Sequence, residues 1–433
     1  MNELTVGILG LFLLMGIFLT GFPIAFAMAV VGFLGFMVLN NFDVATTILA
    51  NDIFEYLSSY SLTAVVLFMF MGQLAANSSI AKGLYNAAHR FLGHMPGGLA
   101  TATVIGATVF KSICGSMLAT SATFASVAIP EMDRYNYSKK LSTGVVASVG
   151  TLGNLLPPSV ILIILGIMTE QSIGKIFLAG VIPGLILAFL FIVVIFGWCG
   201  INPNLGPRSE RSPWIERWKA VPVVMWPILI FVVLVGGLMF GVFTPTEAGS
   251  IGAFAVLILC ILRKDMNSST FMKSVRETTR ASCMVLILVA MGMVLSHFAA
   301  ATQLTDAVGT WVTGLQLHRV LIMCIIIMIF LIGGSIIDDM AFLIIATPIF
   351  FPMMVKLGYD PLWVIIMLAL IMSLGVIIPP LAVTVFIVKQ ITNTPISVIY
   401  RGVLPFLISL IVCMALMFIF PQMATYLPNM FMK

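Results

Sequence analysis

Two short segments combine small polar residues with a pair of adjacent prolines. One runs from Thr151 to Ser159 and the other from Ser373 to Leu381, each inside a long apolar run. A Pro-Pro pair removes two amide donors and disfavours helix at the residue before it, so a helix must break there. The freed carbonyls, with Thr151, Asn154 or Ser373, are hard oxygen ligands suited to an alkali cation, and exposed helix N-termini favour an anion. The segments are candidate ion and substrate sites, with kinks that only aid packing as the alternative.

Three charged side chains lie within other apolar runs, where a charge is costly and is a functional candidate by default. Lys111 stands just before Gly115-Ser116, and Asp338 and Asp339 follow Gly333-Gly334-Ser335. Lys111 could attract an anionic substrate, or it could snorkel to the membrane surface if its segment is shallow. One aspartate could ligate a cation or stabilise its segment while the other faces water.

Several other chemistries are excluded. The chain has no Gly-x-x-x-x-Gly-Lys-Ser/Thr loop, so an ion gradient or another subunit must supply energy in place of ATP hydrolysis by this chain. The 4 histidines do not cluster and the 6 cysteines form no Cys-x-x-Cys pair, which argues against a metal-dependent enzyme, a zinc site and a disulfide framework. Basic loop residues account for the formal charge of +5, so a nucleic-acid partner is not needed.

Composition identifies the elements that must position these groups. Hydrophobic residues make up 61% of the chain and charged residues 9%, which predicts an all-α polytopic membrane protein. A span needs about 20 apolar residues. The candidate spans lie near 4–20, 22–40, 60–78, 141–169, 175–200, 225–241, 246–262, 280–300, 362–389 and 397–420. The first has no basic stretch before it and the second follows at once, which favours a retained helix over a signal peptide.

Two further apolar stretches, about 99–131 and about 320–353, are interrupted by Gly115-Ser116 and by Gly333-Gly334-Ser335. Each is too long for one span and poorly suited to two complete spans. We therefore expect two re-entrant helical hairpins with the glycines at their tips.

An internal repeat relates the two halves of the chain. A shift of 222 residues superposes Pro23 on Pro245, Pro130 on Pro352, Pro157-Pro158 on Pro379-Pro380 and Pro183 on Pro405. Chance would give about one such coincidence, so the repeat is real. Each copy holds about five spans, an odd number, which forces the copies into opposite orientations. The prediction is an inverted repeat of two five-helix units, each with a re-entrant hairpin and a discontinuous helix.

Basic residues concentrate in the predicted loops 80–98, 132–140, 201–222 and 263–280 and their flanks, which the alternation of spans places on one side. The positive-inside rule makes that side cytoplasmic and puts both termini outside. Segment 201–222 carries Trp214 and Trp218 one helical turn apart, which predicts an amphipathic surface helix, with a solvated linker as the alternative. The predicted organisation is a first repeat at 1–200, this linker at 201–222 and a second repeat at 223–433.

The order and spacing of several motifs resemble the large membrane subunit of the tripartite ATP-independent periplasmic (TRAP) transporters. The matching stretches are Gly21-Phe-Pro-Ile-Ala25, Cys114-Gly-Ser116, Ile129-Pro-Glu-Met132, Gly153 through Pro157-Pro-Ser159, Phe243-Thr-Pro-Thr-Glu-Ala248, Gly334 to Asp338, Thr347-Pro-Ile-Phe-Phe-Pro352 and the second Pro-Pro pair. They cover nearly the whole chain.

The resemblance implies a sodium symporter of the bacterial inner membrane with the elevator fold of the ion-transporter superfamily. Its expected partners are a small four-helix membrane subunit, a periplasmic substrate-binding protein, Na⁺ and a small organic anion such as a dicarboxylate, a sialic acid or a sulfonate. Both termini would then be periplasmic. No cofactor is implied, and no metal beyond sodium.

The resemblance also implies site residues. For one sodium ion it points to Ser112, Gly115, Ser116, Gly150, Thr151, Gly153 and Asn154. For another it points to Gly334, Ser335, Asp338, Ser373, Gly375 and Val376. For the substrate it points to Lys111, Ser116, Thr120, Asn154, Pro157, Pro158, Pro379 and Pro380. Cys114 stands where the family often has Ser, and Lys111 where it has a small residue, which could tune the site toward a more strongly acidic anion.

Other functions have weaker support. A channel, or an anion symporter that needs no binding protein, would share the inverted repeat and the hairpins. The permease of an ATP-driven importer would need a coupling loop, and no convincing one is present. An intramembrane enzyme would need a Ser/His, paired Asp or metal constellation within the spans, which the sequence lacks.

Overall fold

The computed structural model describes residues 2–314 and 317–432, and this part of the chain contains helices and connecting segments but no strand. The apolar sequence accounts for this result. A bilayer offers no hydrogen-bond partner to a bare backbone, so each segment within it must satisfy its own amides and carbonyls as a helix.

The first half of the chain forms ten α-helices. They are α1 (Glu3–Leu19), α2 (Ile24–Leu39), α3 (Phe42–Leu57), α4 (Tyr60–Ala76), α5 (Ile80–Leu92), α6 (Gly98–Lys111), α7 (Met117–Arg134), α8 (Lys139–Val149), α9 (Val160–Met168) and α10 (Ile173–Ile201). Two 3₁₀ turns, Gly150–Asn154 and Pro203–Leu205, follow α8 and α10.

The described part of the second half also forms ten α-helices. They are α11 (Trp214–Met239), α12 (Pro245–Leu262), α13 (Ser268–Ala301), α14 (Leu304–Gly314), α15 (Arg319–Ile336), α16 (Asp339–Lys356), α17 (Pro361–Gly375), α18 (Val383–Thr392), α19 (Ile396–Ile419) and α20 (Gln422–Phe431).

Seven of these helices are long and apolar enough to cross a membrane, and the pair α3 and α4, bent by 52°, makes an eighth span if it is taken as one. The count differs from the ten predicted spans for three reasons. Helices α15 and α16 are among the seven, although their segment was predicted as a hairpin and not among the ten spans. Helices α1 and α2 are apolar but only 17 and 16 residues long. The predicted spans at 141–169 and 362–389 are each divided in two, as α8 with α9 and α17 with α18.

Both predicted hairpin segments are helix pairs. Helices α6 and α7 occupy 98–134, and α15 and α16 occupy 319–356. Each of α15 and α16 has 18 residues, so by length and hydropathy they also qualify as spans. Their re-entrant course stays a prediction.

The helix boundaries follow the offset found in the sequence. Helix α7 begins at Met117 and ends at Arg134, and a shift of 222 gives the first and last residues of α16, Asp339 and Lys356. The two copies also touch, because Ser373 Oγ donates to the carbonyl oxygen of its own repeat mate, Thr151, at 3.3 Å. A residue and its mate meet only near the axis that relates two copies. The first break and the second therefore lie side by side; the opposite orientation of the copies stays a prediction.

Three segments differ from the sequence prediction. Residues 80–98 were expected to be a loop, but most of them form α5, which buries Ile80, Leu84 and Tyr85 on one face. Helix α3 was not predicted. The amphipathic part of the linker is not a separate helix, since α11 runs without interruption from Trp214 to Met239.

Glycine contacts bring the two copies close together beside the breaks. Helices α8 and α19 cross at Gly144 and Gly402, where a Cβ on either glycine would overlap the backbone of the other helix. Such close approach positions α8, and with it the break that follows, against the second copy.

Candidate functional site

The two hairpin tips are built alike. In the first, Ser116 caps α7 by accepting a hydrogen bond from the backbone amide of Ala119 to its hydroxyl at 3.2 Å. In the second, Asp338 caps α16 by accepting from the amide of Ala341 to its carboxylate at 3.1 Å. Both pairs are related by the offset of 222. Short polar N-caps explain why α7 and α16 begin at these positions.

The two helix breaks fall where the Pro-Pro pairs were predicted to place them. Helix α8 ends at Val149 and α9 begins at Val160, while α17 ends at Gly375 and α18 begins at Val383. After each Pro-Pro pair, a backbone amide donates to a backbone carbonyl at the hairpin tip of the same repeat copy. The amide of Val160 donates to the carbonyl of Gly115 at 3.5 Å, and the amide of Leu381 donates to that of Ser335 at 3.2 Å.

Close contact between each tip and its break depends on glycine. A Cβ on Gly375 would lie 3.0 Å from the carbonyl carbon and oxygen of Gly334, and a Cβ on Gly115 would lie 3.1 Å from the carbonyl oxygen of Pro158. Neither neighbour is a side chain that could rotate away. Backbone carbonyls of tip and break are thereby held within a few ångströms of one another.

A cavity of about 690 Å³ lies where the tips and the first break converge. Its wall includes Ser116 from the first tip, Asn154 and Ser159 from the first break, and Asp338 and Asp339 from the second tip. A groove of about 630 Å³ between α11 and α12 is of similar size but is lined mainly by apolar side chains on the outer face of the bundle. The first cavity has the polar groups that a transport site needs.

The cavity presents hydrogen-bond donors to an anion. Asn154 is buried, with 2% exposure, and its side-chain amide nitrogen has no hydrogen-bond partner within the described residues. The first turn of α7, from Met117 to Ala119, also lines the wall. Free amides and the positive end of the helix dipole favour an anion at such an end.

The cavity also holds two adjacent carboxylates with different environments. Asp338 is half-buried and caps α16, so it stabilises the second tip. Asp339 is buried, with 6% exposure, and its Oδ2 has no hydrogen-bond partner in the part of the chain that the structure describes. A buried carboxylate oxygen without a donor is costly unless the group takes up a proton or a cation lies beside it. A carboxylate oxygen is a hard ligand, so this position is compatible with a hard cation such as sodium.

Lys111 lies behind the first tip. Its side chain is fully buried, and Nζ donates to the carbonyl oxygen of Ser116 at 2.8 Å. Thr120 Oγ1 donates to the same carbonyl at 3.0 Å. Lys111 does not snorkel to the surface, and neither Lys111 nor Thr120 lines the cavity. The ammonium instead packs against Gly153, where a Cβ would overlap Nζ.

Of the other predicted residues, Gly115 lines the cavity and the rest do not. The four prolines of the breaks do not line it. The hydroxyl of Ser112 donates to Val109, that of Thr151 to Ser148, that of Ser335 to Ile332 and that of Ser373 to Ala369, in each case to a backbone carbonyl. Gly150 packs against Ser121, and the carbonyl of Val376 accepts from Thr384 at 3.2 Å. Each of these four hydroxyls uses its hydrogen in this way, and its oxygen keeps its lone pairs.

Sequence reasoning missed three polar residues that line the cavity, Asn77, Lys273 and Glu277. Asn77 Nδ2 donates to Glu277 Oε2 at 2.7 Å, and Lys273 lies on the same wall. Glu277 and Lys273 fall in a segment that was predicted to be loop, although α13 begins at Ser268. An asparagine at the end of an apolar helix was the available signal.

Comparison with known proteins identifies the family. Residues 11–423 match the model for the tripartite ATP-independent periplasmic transporter, DctM component. The C4-dicarboxylate TRAP transporter large permease protein DctM of Pseudomonas aeruginosa is 32% identical over 88% of this chain and 89% of its own length. The sialic acid TRAP transporter large permease protein SiaM of Vibrio cholerae is 27% identical over 96% of this chain and 97% of its own.

A solved structure shares the fold. The YdaH transporter of Alcanivorax borkumensis superposes with a TM-score of 0.66 at 13% sequence identity, covering 89% of each chain. The resemblance drawn from the motifs is therefore confirmed by the family model over nearly the whole chain, and the chain belongs to the DctM family of large permease subunits of TRAP transporters.

Proposed function

We propose that this chain is the large membrane subunit of a sodium-driven, binding-protein-dependent importer of a small organic acid. One observation carries the proposal: a single cavity brings together a helix N-terminus, an amide donor and a buried carboxylate oxygen, and the last two have no hydrogen-bond partner among residues 2–314 and 317–432. Donors suit an anionic substrate, and the carboxylate suits a co-transported cation. Binding of the two together gives a physical basis for symport.

Acidic substrates fit the donors of the cavity. Asn154 and the first residues of α7, Met117 and Leu118, offer N–H groups to a carboxylate or sulfonate, and the cavity volume of about 690 Å³ accommodates a molecule of metabolite size. Relatives are named for C4-dicarboxylates, sialic acid and isethionate. We propose a substrate from the same class, a dicarboxylate, a sialic acid or a sulfonate.

The proposal places one cation site at each hairpin tip. At the first, the ligands come from Ser112, Gly115, Ser116, Gly150, Thr151, Gly153 and Asn154. At the second, they come from Gly334, Ser335, Asp338, Ser373, Gly375 and Val376, and the geometry adds Asp339. The packing of Gly375 on Gly334 supports the second site, as does the Asp339 oxygen that has no hydrogen-bond partner in the described part of the chain. A bound sodium ion would offset the negative charge there and admit an anion nearby.

The mechanism we propose is an elevator movement in the bacterial inner membrane. The hairpins and broken helices would carry the cavity across the bilayer against the remaining helices, with the two copies inverted and both termini periplasmic. A small four-helix membrane subunit and a periplasmic substrate-binding protein would complete the transporter. Family membership supports these partners.

The proposal is tested by uptake of radiolabelled organic acids into proteoliposomes that contain this chain and the small subunit, with the binding protein outside. We expect saturable uptake that requires both an inward sodium gradient and the binding protein. Saturable uptake without the binding protein would point to an independent symporter, and non-saturable flux without sodium would point to a channel.

A further inference from the structure

The ammonium of Lys111 lies where the first hairpin tip meets the first break. It contacts the carbonyl oxygen of Ser116, which belongs to the tip, at 2.8 Å. It also packs against Gly153, which belongs to the break, without room for a Cβ between them. The ammonium thus bridges the two segments from which a cation at this tip would take its ligands.

The surroundings of Lys111 resemble a cation site rather than an ion pair. No carboxylate of residues 2–314 or 317–432 forms a salt bridge with it. Lys111 is the last residue of α6, where the helix dipole places partial negative charge. A buried charge must be compensated. Here the ammonium donates to the carbonyl oxygen of Ser116, an oxygen that could otherwise ligate a bound cation.

The second copy has the reverse arrangement. The offset of 222 puts Gly333 where the first copy has Lys111, and puts Asp338 and Asp339 where it has Ser116 and Met117. The second tip therefore has carboxylates and no ammonium, and Asp339 Oδ2 lacks a hydrogen-bond partner within the described residues. The first tip therefore has the Lys111 ammonium beside it, whereas the second tip has the Asp339 carboxylate and no lysine at the equivalent position.

We propose that the Lys111 ammonium is a built-in cation that replaces sodium at the first tip, so that only the second tip takes a sodium ion from solution. This inference rests on the sodium coupling proposed above and narrows it. The first set of residues holds an ammonium in place, and Asp339 with the second set binds the coupling ion. The chain then binds one sodium ion fewer than a transporter in which both hairpin tips bind sodium.

Two substitutions test the idea by sodium binding rather than by transport. Lys111→Ser removes the ammonium and leaves space and a hydroxyl for an ion, whereas Lys111→Met removes the charge but fills the space. The thermal stability of each purified protein is followed during a sodium titration in which choline keeps the ionic strength constant. Stabilisation by a ligand grows with the logarithm of its concentration in proportion to the number of ions bound.

We expect the slope of stabilisation against the logarithm of sodium concentration to be about twice the wild-type value in Lys111→Ser, because one further ion binds. In Lys111→Met the slope should not rise. Equal slopes in the wild type and Lys111→Ser would overturn the role of Lys111 and leave sodium coupling standing. A wild type that does not respond to sodium would overturn the coupling itself, and the inference with it.

If the Lys111→Ser protein does not fold, a second measurement tests the same inference. Asp339→Asn in the otherwise native chain should abolish the whole sodium response, since no other site takes the ion. A residual sodium-dependent stabilisation of half the wild-type slope would show that the first tip also binds sodium and would overturn the inference.

Discussion

Replacing Asn154 by aspartate should weaken substrate binding strongly while preserving the shape of the cavity wall. The side-chain amide of Asn154 is buried, lines the cavity and has no protein partner in the described part of the chain. A hydrogen bond to a charged group contributes about 1.5–3 kcal/mol. Since about 1.4 kcal/mol corresponds to a factor of ten, loss of the donor alone should raise the substrate KM by roughly 10- to 100-fold, and repulsion between the new carboxylate and an anionic substrate adds to this increase.

The assay is initial uptake into proteoliposomes over a range of substrate concentrations at saturating sodium. Ser126→Ala serves as the matched control, because Ser126 also lines the cavity but its hydroxyl already donates to the carbonyl of Ala122 at 3.0 Å. The control should leave KM unchanged. Sodium-dependent thermal stabilisation should not fall in Asn154→Asp. An unchanged KM in Asn154→Asp, in protein that is folded, would refute the assignment of this amide to the substrate.

Three further predictions concern the second tip, the contact between the copies and the linker. Asp339→Asn should remove the sodium-dependent thermal stabilisation, while Asp306→Asn, whose side chain is 78% exposed, should keep it; a full sodium response in Asp339→Asn would contradict the proposed ion site. Gly402→Ala should destabilise the folded protein by roughly 1–3 kcal/mol, because its Cβ would overlap the carbonyl oxygen of Lys140. The control Gly197→Ala, whose Cβ would meet no atom of the described residues within 4 Å, should not lower the melting temperature. Burial lowers the pKa of His89, which lies 3.0 Å from Ser209 Oγ. The unfolded chain therefore takes up a proton at a higher pH than the folded chain does, so stability is complete above the usual histidine range, near 6.5, and falls as the pH drops below it. His89→Gln should flatten the melting temperature between pH 8 and pH 5, and an unchanged pH dependence would exclude His89 as its source.

The strongest features of the fold could be predicted because they depend on local chemistry. Pro157-Pro158 and Pro379-Pro380 cannot continue a helix, and both breaks lie there. The offset of 222 was visible in the prolines and matches the boundaries of α7 and α16. Such signals predict a helix break or a repeat whatever the tertiary packing around them.

Helices with mixed polarity were harder to predict. Helix α5 contains Lys82, His89 and Arg90, so no apolar run marks it, and tertiary packing of one face stabilises it instead. Helix α3 carries Asp52 and Glu55 among its apolar residues. Asp52 is buried because His297, distant in sequence, lies 2.8 Å away.

The site could be predicted only in part for a related reason. Ser116, Asn154 and Asp338 were found because each stands at a break or a tip, which the sequence marks with proline or glycine. The direction of a long flexible side chain is not marked in this way. Whether the Lys111 ammonium faces the cavity, the surface or Gly153 depends on how α6 packs against the break, and only the structure shows that it packs against Gly153.

The most direct test of the whole account is an electron cryomicroscopy structure of the transporter with its small subunit, sodium and a transported organic acid. We predict substrate density between Asn154 and the first turn of α7, ion density beside Asp339, and the Lys111 ammonium in contact with Ser116. Substrate density outside this cavity, or no ion at the second tip in a sodium-dependent transporter, would contradict the account.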